Sequence, residues 1–226
     1  MTGGAALRNL TATYMEHRHA VLFYSLLVTL IASPLLAILK LGDQWLQFFL
    51  AVNLLVAVFA NGVTKRKLLL TVVAAIVLGR LIAISFDATT VSAGLLALWI
   101  IIGLKAAYDM LCYALRSSSV NSEHIYGALS AYLLAGLFWG ALYWVLEHCL
   151  AGSIASPAAT GEFTPFHAVY FSFVTLATLG YGDIVPKSDL ARGLVIVEAL
   201  AGQLYLAVTI SRLISLYIRS ATKDEA

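Results

Sequence analysis

The feature that most constrains this 226-residue chain is a succession of apolar runs at or near membrane-spanning length. A helical span needs roughly 20 mostly apolar residues. The runs are Ala20 to Leu39, Trp45 to Ala60, Leu68 to Ser85, Val91 to Leu115, Ile125 to Leu146 and Gly193 to Ser211. Arg80 interrupts the third, Lys105 and Asp109 the fourth and Glu198 the sixth, while the fifth has no charge. With 61% apolar and 12% charged residues, the chain departs from a soluble domain, which has about 45–50% and 25%. The expected fold is therefore an all-α membrane protein with six transmembrane helices and the lipid bilayer as its surroundings. A net charge of +2 offers no basic face for nucleic acid. Cys112 and Cys149 are too few for a disulfide framework or metal cluster and are expected as buried small apolar residues.

Ala20 to Leu39 follows a polar stretch holding Arg8, Glu16, His17, Arg18 and His19, which superficially resembles the start of a signal peptide. Twenty apolar residues exceed a signal core of about 7–15, and no small-x-small cleavage site follows, so a retained span is expected. Orientation follows from Lys and Arg in short connections, which stay cytoplasmic. With the N-terminus inside, the inner side collects Arg8, Arg18, Lys65, Arg66, Lys67, Arg116, Arg212, Arg219 and Lys223. The outer side holds only Lys40, Lys187 and Arg192. Nine against three predicts a multi-pass protein of a plasma or inner membrane with both termini cytoplasmic. The sequon at Asn9 then faces the cytoplasm and is a chance match.

The segment between the fifth and sixth runs is then external, yet it turns apolar again from Pro165 to Leu179. Fifteen residues are too few to cross. Thr164 as N-cap and Pro165 as first helical residue predict a helix over 165–177, roughly 18–20 Å long at 1.5 Å per residue. Such a helix reaches mid-bilayer and stops, and Thr178-Leu179-Gly180-Tyr181-Gly182-Asp183 follows directly.

That hexapeptide resembles the selectivity-filter signature T-x-G-Y-G-D of the potassium channel family, and the resemblance extends over Ile125 to Leu216. It implies a pore domain over 125–217: outer helix 125–146, re-entrant pore helix 165–177, filter 178–183 and inner helix 190–217. It further implies a homotetramer, because one chain supplies a quarter of the filter. Potassium ions would lie between the backbone carbonyls of Thr178, Leu179, Gly180 and Tyr181, with the Thr178 hydroxyl at the inner end; no other cofactor is implied. Gly180 and Gly182 suit the left-handed backbone such a loop requires. Tyr181 would brace the loop from behind, and the pore-helix C-terminus would turn its negative end toward the cation. Many family members place paired tryptophans and a polar or acidic residue on the pore helix. This chain has Tyr170, Phe171 and Val174 there, so neither a carboxylate pair with Asp183 nor a ring-nitrogen hydrogen bond to the filter's surroundings is expected.

In the sixth run, Gly202 falls where the family often has a hinge glycine, with close packing of small residues as the alternative. Gln203, Leu206, Ile210 and Ile214 share one helical face and are expected to line the cavity and inner gate. An intramembrane acid is a functional hypothesis by default. Glu198 is expected either to hydrogen-bond behind the filter or pore-helix base, or to titrate and couple conductance to pH.

Residues 1–19 form an N-terminal segment, and 20–116 a four-helix region resembling a voltage-sensor domain without its gating charges. Residues 117–124 link it to the pore, and 218–226 form a short tail with no room for a ligand-sensing domain. A voltage sensor needs several arginines at every third position. Here Lys105 and Asp109 form one i,i+4 pair and Arg80 stands apart, so steep voltage gating is not expected; these three are possible modulatory residues. An outer proton or zinc site from His148, His167, Glu147 and Glu162 is the lesser alternative, because they lack tight metal-ligand spacing; solvated loop residues are expected. An enzyme is not expected, because the spans hold no nucleophile–base pair. The alternatives are a non-conducting or regulatory channel subunit, or a less selective cation channel or transporter.

Overall fold

The structure is a computed structural model that describes residues 17–39, 52–53, 55–57, 100, 102–112, 122–155 and 163–224. The third span with Arg80, most of the second and part of the fourth lie outside these residues, so the six-span count does too.

Three helices among the described residues are long and apolar enough to cross a membrane: α1 (Arg18–Ile38), α2 (Ser122–Cys149) and α4 (Asp189–Asp224). Between the last two come β1 (Ile154–Ala155), the short α3 (Pro165–Leu176) and β2 (Val185–Pro186). The chain is thus a helical membrane protein built around a half-length helix.

α2 is longer than the 125–146 expected from hydropathy. Its first turn is anchored by Glu123, whose Oε2 accepts from the His19 backbone N–H at 3.0 Å, with His19 Nδ1 3.2 Å away. At the other end the helical pattern continues through Leu150 N–H to the Leu146 carbonyl, 2.8 Å. α4 likewise runs past 217 to Asp224, because the polar residues after Leu216 contain no helix breaker. The expected separate tail is helical over 218–224. Cys149 is exposed and Cys112 half-buried, against the expectation of burial: Cys149 closes α2 where the chain leaves the apolar core.

One core cluster joins α1, α2 and the helical residues 102–112. Leu22, Leu26, Met110, Leu134, Leu137 and Phe138 are buried together, with Val169 reaching in from α3. Gly103 makes this packing possible, since a Cβ there would stand 1.9 Å from the Phe138 ring. A second cluster packs Tyr143, Leu146, Ile154, Ala168, Phe171, Ile184 and Ala191 around the N-terminal half of α3. Between α1 and residues 52–57, Ser25 Oγ donates to Asn53 Oδ1 (2.8 Å) and Asn53 Nδ2 to Thr29 Oγ1 (2.5 Å). This buried polar set joins two helices where water cannot compete.

Candidate functional site: the pore helix and the loop that follows it

α3 begins as the sequence requires. Thr164 is the N-cap with extended backbone, Pro165 follows, and Thr164 Oγ1 accepts from the His167 backbone N–H at 3.3 Å. His167 Nδ1 returns the contact by accepting from the Thr164 N–H at 3.3 Å, so a capping box forms with histidine in the place usually held by Glu or Gln. The helix ends one residue earlier than expected, with Ala177 as C-cap.

Beyond it the backbone changes hand at alternate residues: Thr178 has φ +56°, Gly180 +55° and Gly182 +79°, whereas Leu179 and Tyr181 have negative φ. Alternation of this kind gathers successive N–H groups on one side of the chain and turns carbonyls to the other. Gly180 and Gly182 adopt it without steric cost. Thr178 is the only non-glycine residue with positive φ among those described. The loop is tied back to its helix, because the N–H groups of Leu179 and Gly180 both reach the Val174 carbonyl, at 2.9 and 3.3 Å. Leu179 and Tyr181 are 55% and 66% exposed, so two large side chains are left more than half uncovered within the chain.

Asp183 has a partner that sequence reasoning missed. The Tyr170 hydroxyl donates to Asp183 Oδ2 at 2.7 Å, and the Ile184 N–H to Oδ1 at 3.0 Å. These bonds, the phenol's foremost, hold the Asp183 carboxyl below the usual carboxylate range. The same hydrogen bond leads in pushing the Tyr170 phenol up to about 12. The available signal was a phenol thirteen residues before an aspartate, with one helix and one hexapeptide between them.

Behind the loop, Glu198 on α4 is fully buried (0% exposed). Tyr143 of α2 donates to its Oε2 at 2.6 Å, and Ser172 of α3 lies 2.5 Å from Oε1 and 2.8 Å from the Gly136 carbonyl. Three helices meet on one carboxyl group. One turn further along both α3 and α4, a Cβ on Gly202 would stand 2.7 Å from the Leu176 carbonyl, which accepts from the Tyr132 hydroxyl at 3.2 Å. Gly202 is therefore a close-packing site on its α3 side, while a cavity of about 360 Å³ borders it on another.

Gln203, Leu206, Ile210 and Ile214 are all exposed within the chain, while Thr209 is buried on another face of the same helix. Lys105 donates to Asp109, forming an i,i+4 pair. His148 stacks on Trp144, and Glu147 accepts from the Gly152 and Ile154 N–H groups at 2.7 and 2.8 Å. Glu147, His148 and His167 are thus helical rather than loop residues, Glu147 tying down the turn after α2 and His167 capping α3, while Glu162 lies outside the described residues; among the described residues no cluster of three His, Cys, Asp or Glu could hold a metal ion.

A family model described as "Ion channel" matches residues 125–219, the stretch that contains most of α2, all of α3, the loop and most of α4. This part of the chain is similar to an ion-channel domain. The chain is 39% identical over 89 residues to Inward rectifier potassium channel Kirbac3.1 of Paramagnetospirillum magnetotacticum, covering 38% of this chain and 29% of that protein. It is also 36% identical over 84 residues to Two pore potassium channel b of Oryza sativa subsp. japonica, covering 37% of this chain and 21% of that one. The likeness to an ion-channel family model and to two proteins named as potassium channels is thus confined to part of the chain. The matched region spans less than a third of either curated relative. No solved structure gives a significant match.

Proposed function

We propose that this protein is a passive, potassium-selective channel in which four copies of the chain surround one pore. The observation that carries the reading is the alternating backbone of residues 178–182 at the C-terminal end of a half-length helix. Four such loops present rings of carbonyls from Thr178, Leu179, Gly180 and Tyr181, closed below by the Thr178 hydroxyl, which replace the hydration shell of a potassium ion. A single loop has nothing to oppose it. The exposed Leu179 and Tyr181 supply the apolar surface that neighbouring copies would cover. Non-helical backbone at membrane depth is tolerated only when buried in protein or lining a watery cavity, and the tetramer meets both conditions.

The carboxyl end of α3 places its partial negative charge toward the cavity below the filter. Gln203, Leu206, Ile210 and Ile214 line that cavity, with Leu206 and Ile210 as apolar constrictions that close by dewetting. Glu198 acts as a positioning residue that fixes α3 between α2 and α4. Both termini face the cytoplasm, and the four-helix region contributes little gating charge because Lys105 is neutralised by Asp109.

Single-channel recording of the purified, reconstituted chain, with potassium and sodium on opposite sides, tests this reading. A reversal potential near that of potassium is expected, and Gly180→Ala should abolish selectivity or assembly. An unchanged potassium-to-sodium ratio in that variant refutes the assignment of the filter. Silence of the chain alone, relieved by a second protein, would instead identify a partner-dependent subunit.

A further inference from the structure

The capping box of α3 contains a residue that the filter does not use. A capping box usually closes with Glu or Gln, whose side chain accepts the N-cap N–H over the whole physiological pH range. Here the acceptor is His167 Nδ1, 3.3 Å from the Thr164 N–H and 3.2 Å from Thr164 Oγ1. Only a neutral imidazole with its proton on Nε2 accepts at Nδ1. The ring neighbours Phe163, near-parallel at a centroid distance of 6.4 Å, and Phe166, tilted at 6.0 Å.

Histidine is the side chain that normally changes charge between about pH 5 and 8. A proton on Nδ1 would turn the acceptor into a donor. The ring would then donate to Thr164 Oγ1, and the Thr164 N–H would lose its acceptor. The added positive charge would sit in the first turn of a helix, where the macrodipole disfavours it.

Among the described residues, the acidic groups on the surrounding elements are otherwise engaged. On α2, Glu147 accepts two backbone N–H groups and His148 stacks on Trp144. On α4, Asp189 pairs with Arg192 at 3.3 Å, and Glu198 is bound by Tyr143 and Ser172. Asp183 after the loop is held by Tyr170, and Lys187 lies beyond β2. None of these supplies the Thr164 N–H with a substitute acceptor among the described contacts.

We propose that His167 is a proton-binding site on the outer face, where binding uncaps the pore helix and loosens the support of the filter. The inference rests on the orientation and channel reading above. Its test separates the two. In the full chain in lipid nanodiscs, hydrogen exchange is followed across residues 163–169 at pH 8 and pH 5.5, corrected for intrinsic rates. Protection in the wild type should fall by about fivefold on acidification, the size of one capping interaction. His167→Gln, which retains a capping acceptor, should show no fall, and His167→Ala should be poorly protected at both pH values.

No fall in the wild type, or an equal fall in His167→Gln, overturns the proton site whether or not the protein conducts. In bilayers with inner pH fixed, outer acid should reduce wild-type current, spare His167→Gln, and still reduce that of His148→Gln. A wild-type current indifferent to outer pH overturns the coupling, while a current lacking potassium selectivity refutes the channel reading and leaves the exchange result standing.

Discussion

Substitution of Glu198 separates its hydrogen bonds from its bulk. In Glu198→Gln the amide oxygen still accepts from the Tyr143 hydroxyl, and the amide NH₂ can donate to Ser172 Oγ, leaving the Ser172 proton for the Gly136 carbonyl. Every group stays paired, so the change should be below about 1 kcal/mol. In Glu198→Ala, Ser172 keeps Gly136, but the buried Tyr143 hydroxyl loses its acceptor at a cost of about 1–3 kcal/mol. The vacated space adds about 1 kcal/mol. For a chain of this size the combined loss lowers the midpoint of thermal unfolding by about 5–15 °C. The assay is thermal dissociation of the purified protein, followed by size-exclusion chromatography, together with the potassium-to-sodium permeability ratio of the reconstituted variants. Gln should match the wild type in both, and Ala should fail in both. If Gln proves as damaging as Ala, the carboxylate charge matters rather than the hydrogen-bond count; if Ala is harmless, Glu198 does not position α3.

Gly202→Ala requires the Leu176 carbonyl to retreat by roughly half an ångström, at an overpacking cost of about 1–3 kcal/mol. It should lower thermal stability and alter permeation together; altered gating at unchanged stability would favour a hinge instead. Tyr170→Phe removes the hydrogen bond that depresses the Asp183 carboxyl. A depressed carboxyl contributes stability above its ordinary value of about 3.9 and loses it as pH falls through the lower folded value. Melting curves of wild type and Tyr170→Phe should therefore run parallel from pH 8 to 5 and converge only below about pH 4. Convergence already at pH 6 would contradict the assignment. The slope of conductance against voltage should correspond to fewer than about two effective charges per channel, since each is worth only about 2.3 kcal/mol per 100 mV. A value of several charges would show that the four-helix region senses voltage after all.

The parts of this molecule visible in its sequence were those governed by local chemistry. Thr164 and Pro165 announce the start of α3, and the glycines at 180 and 182 announce left-handed backbone, because capping and φ depend on neighbours in the chain. What stayed hidden depended on partners brought together by folding. Tyr170 looked like the loss of a partner for Asp183, yet a phenol reaches across the loop and replaces it. Glu198 raised two alternatives from sequence, and its neighbours Tyr143 and Ser172 lie 55 and 26 residues away, beyond any local pattern. Helix ends at 122, 149 and 224 passed the hydropathy boundaries because polar residues continue a helix wherever no breaker intervenes.

The two-residue ladder between Ile154–Ala155 and Val185–Pro186 has a bearing on how the protein is made. With Ser153 O accepting from Lys187 and Ser188, it joins the chain just after α2 to the chain just after the filter loop. The intervening α3 and loop are thereby closed into a ring by contacts of one polypeptide. In the four-fold assembly proposed above, each copy would then shape its own loop first, and assembly would be the docking of preformed parts rather than refolding of the pore.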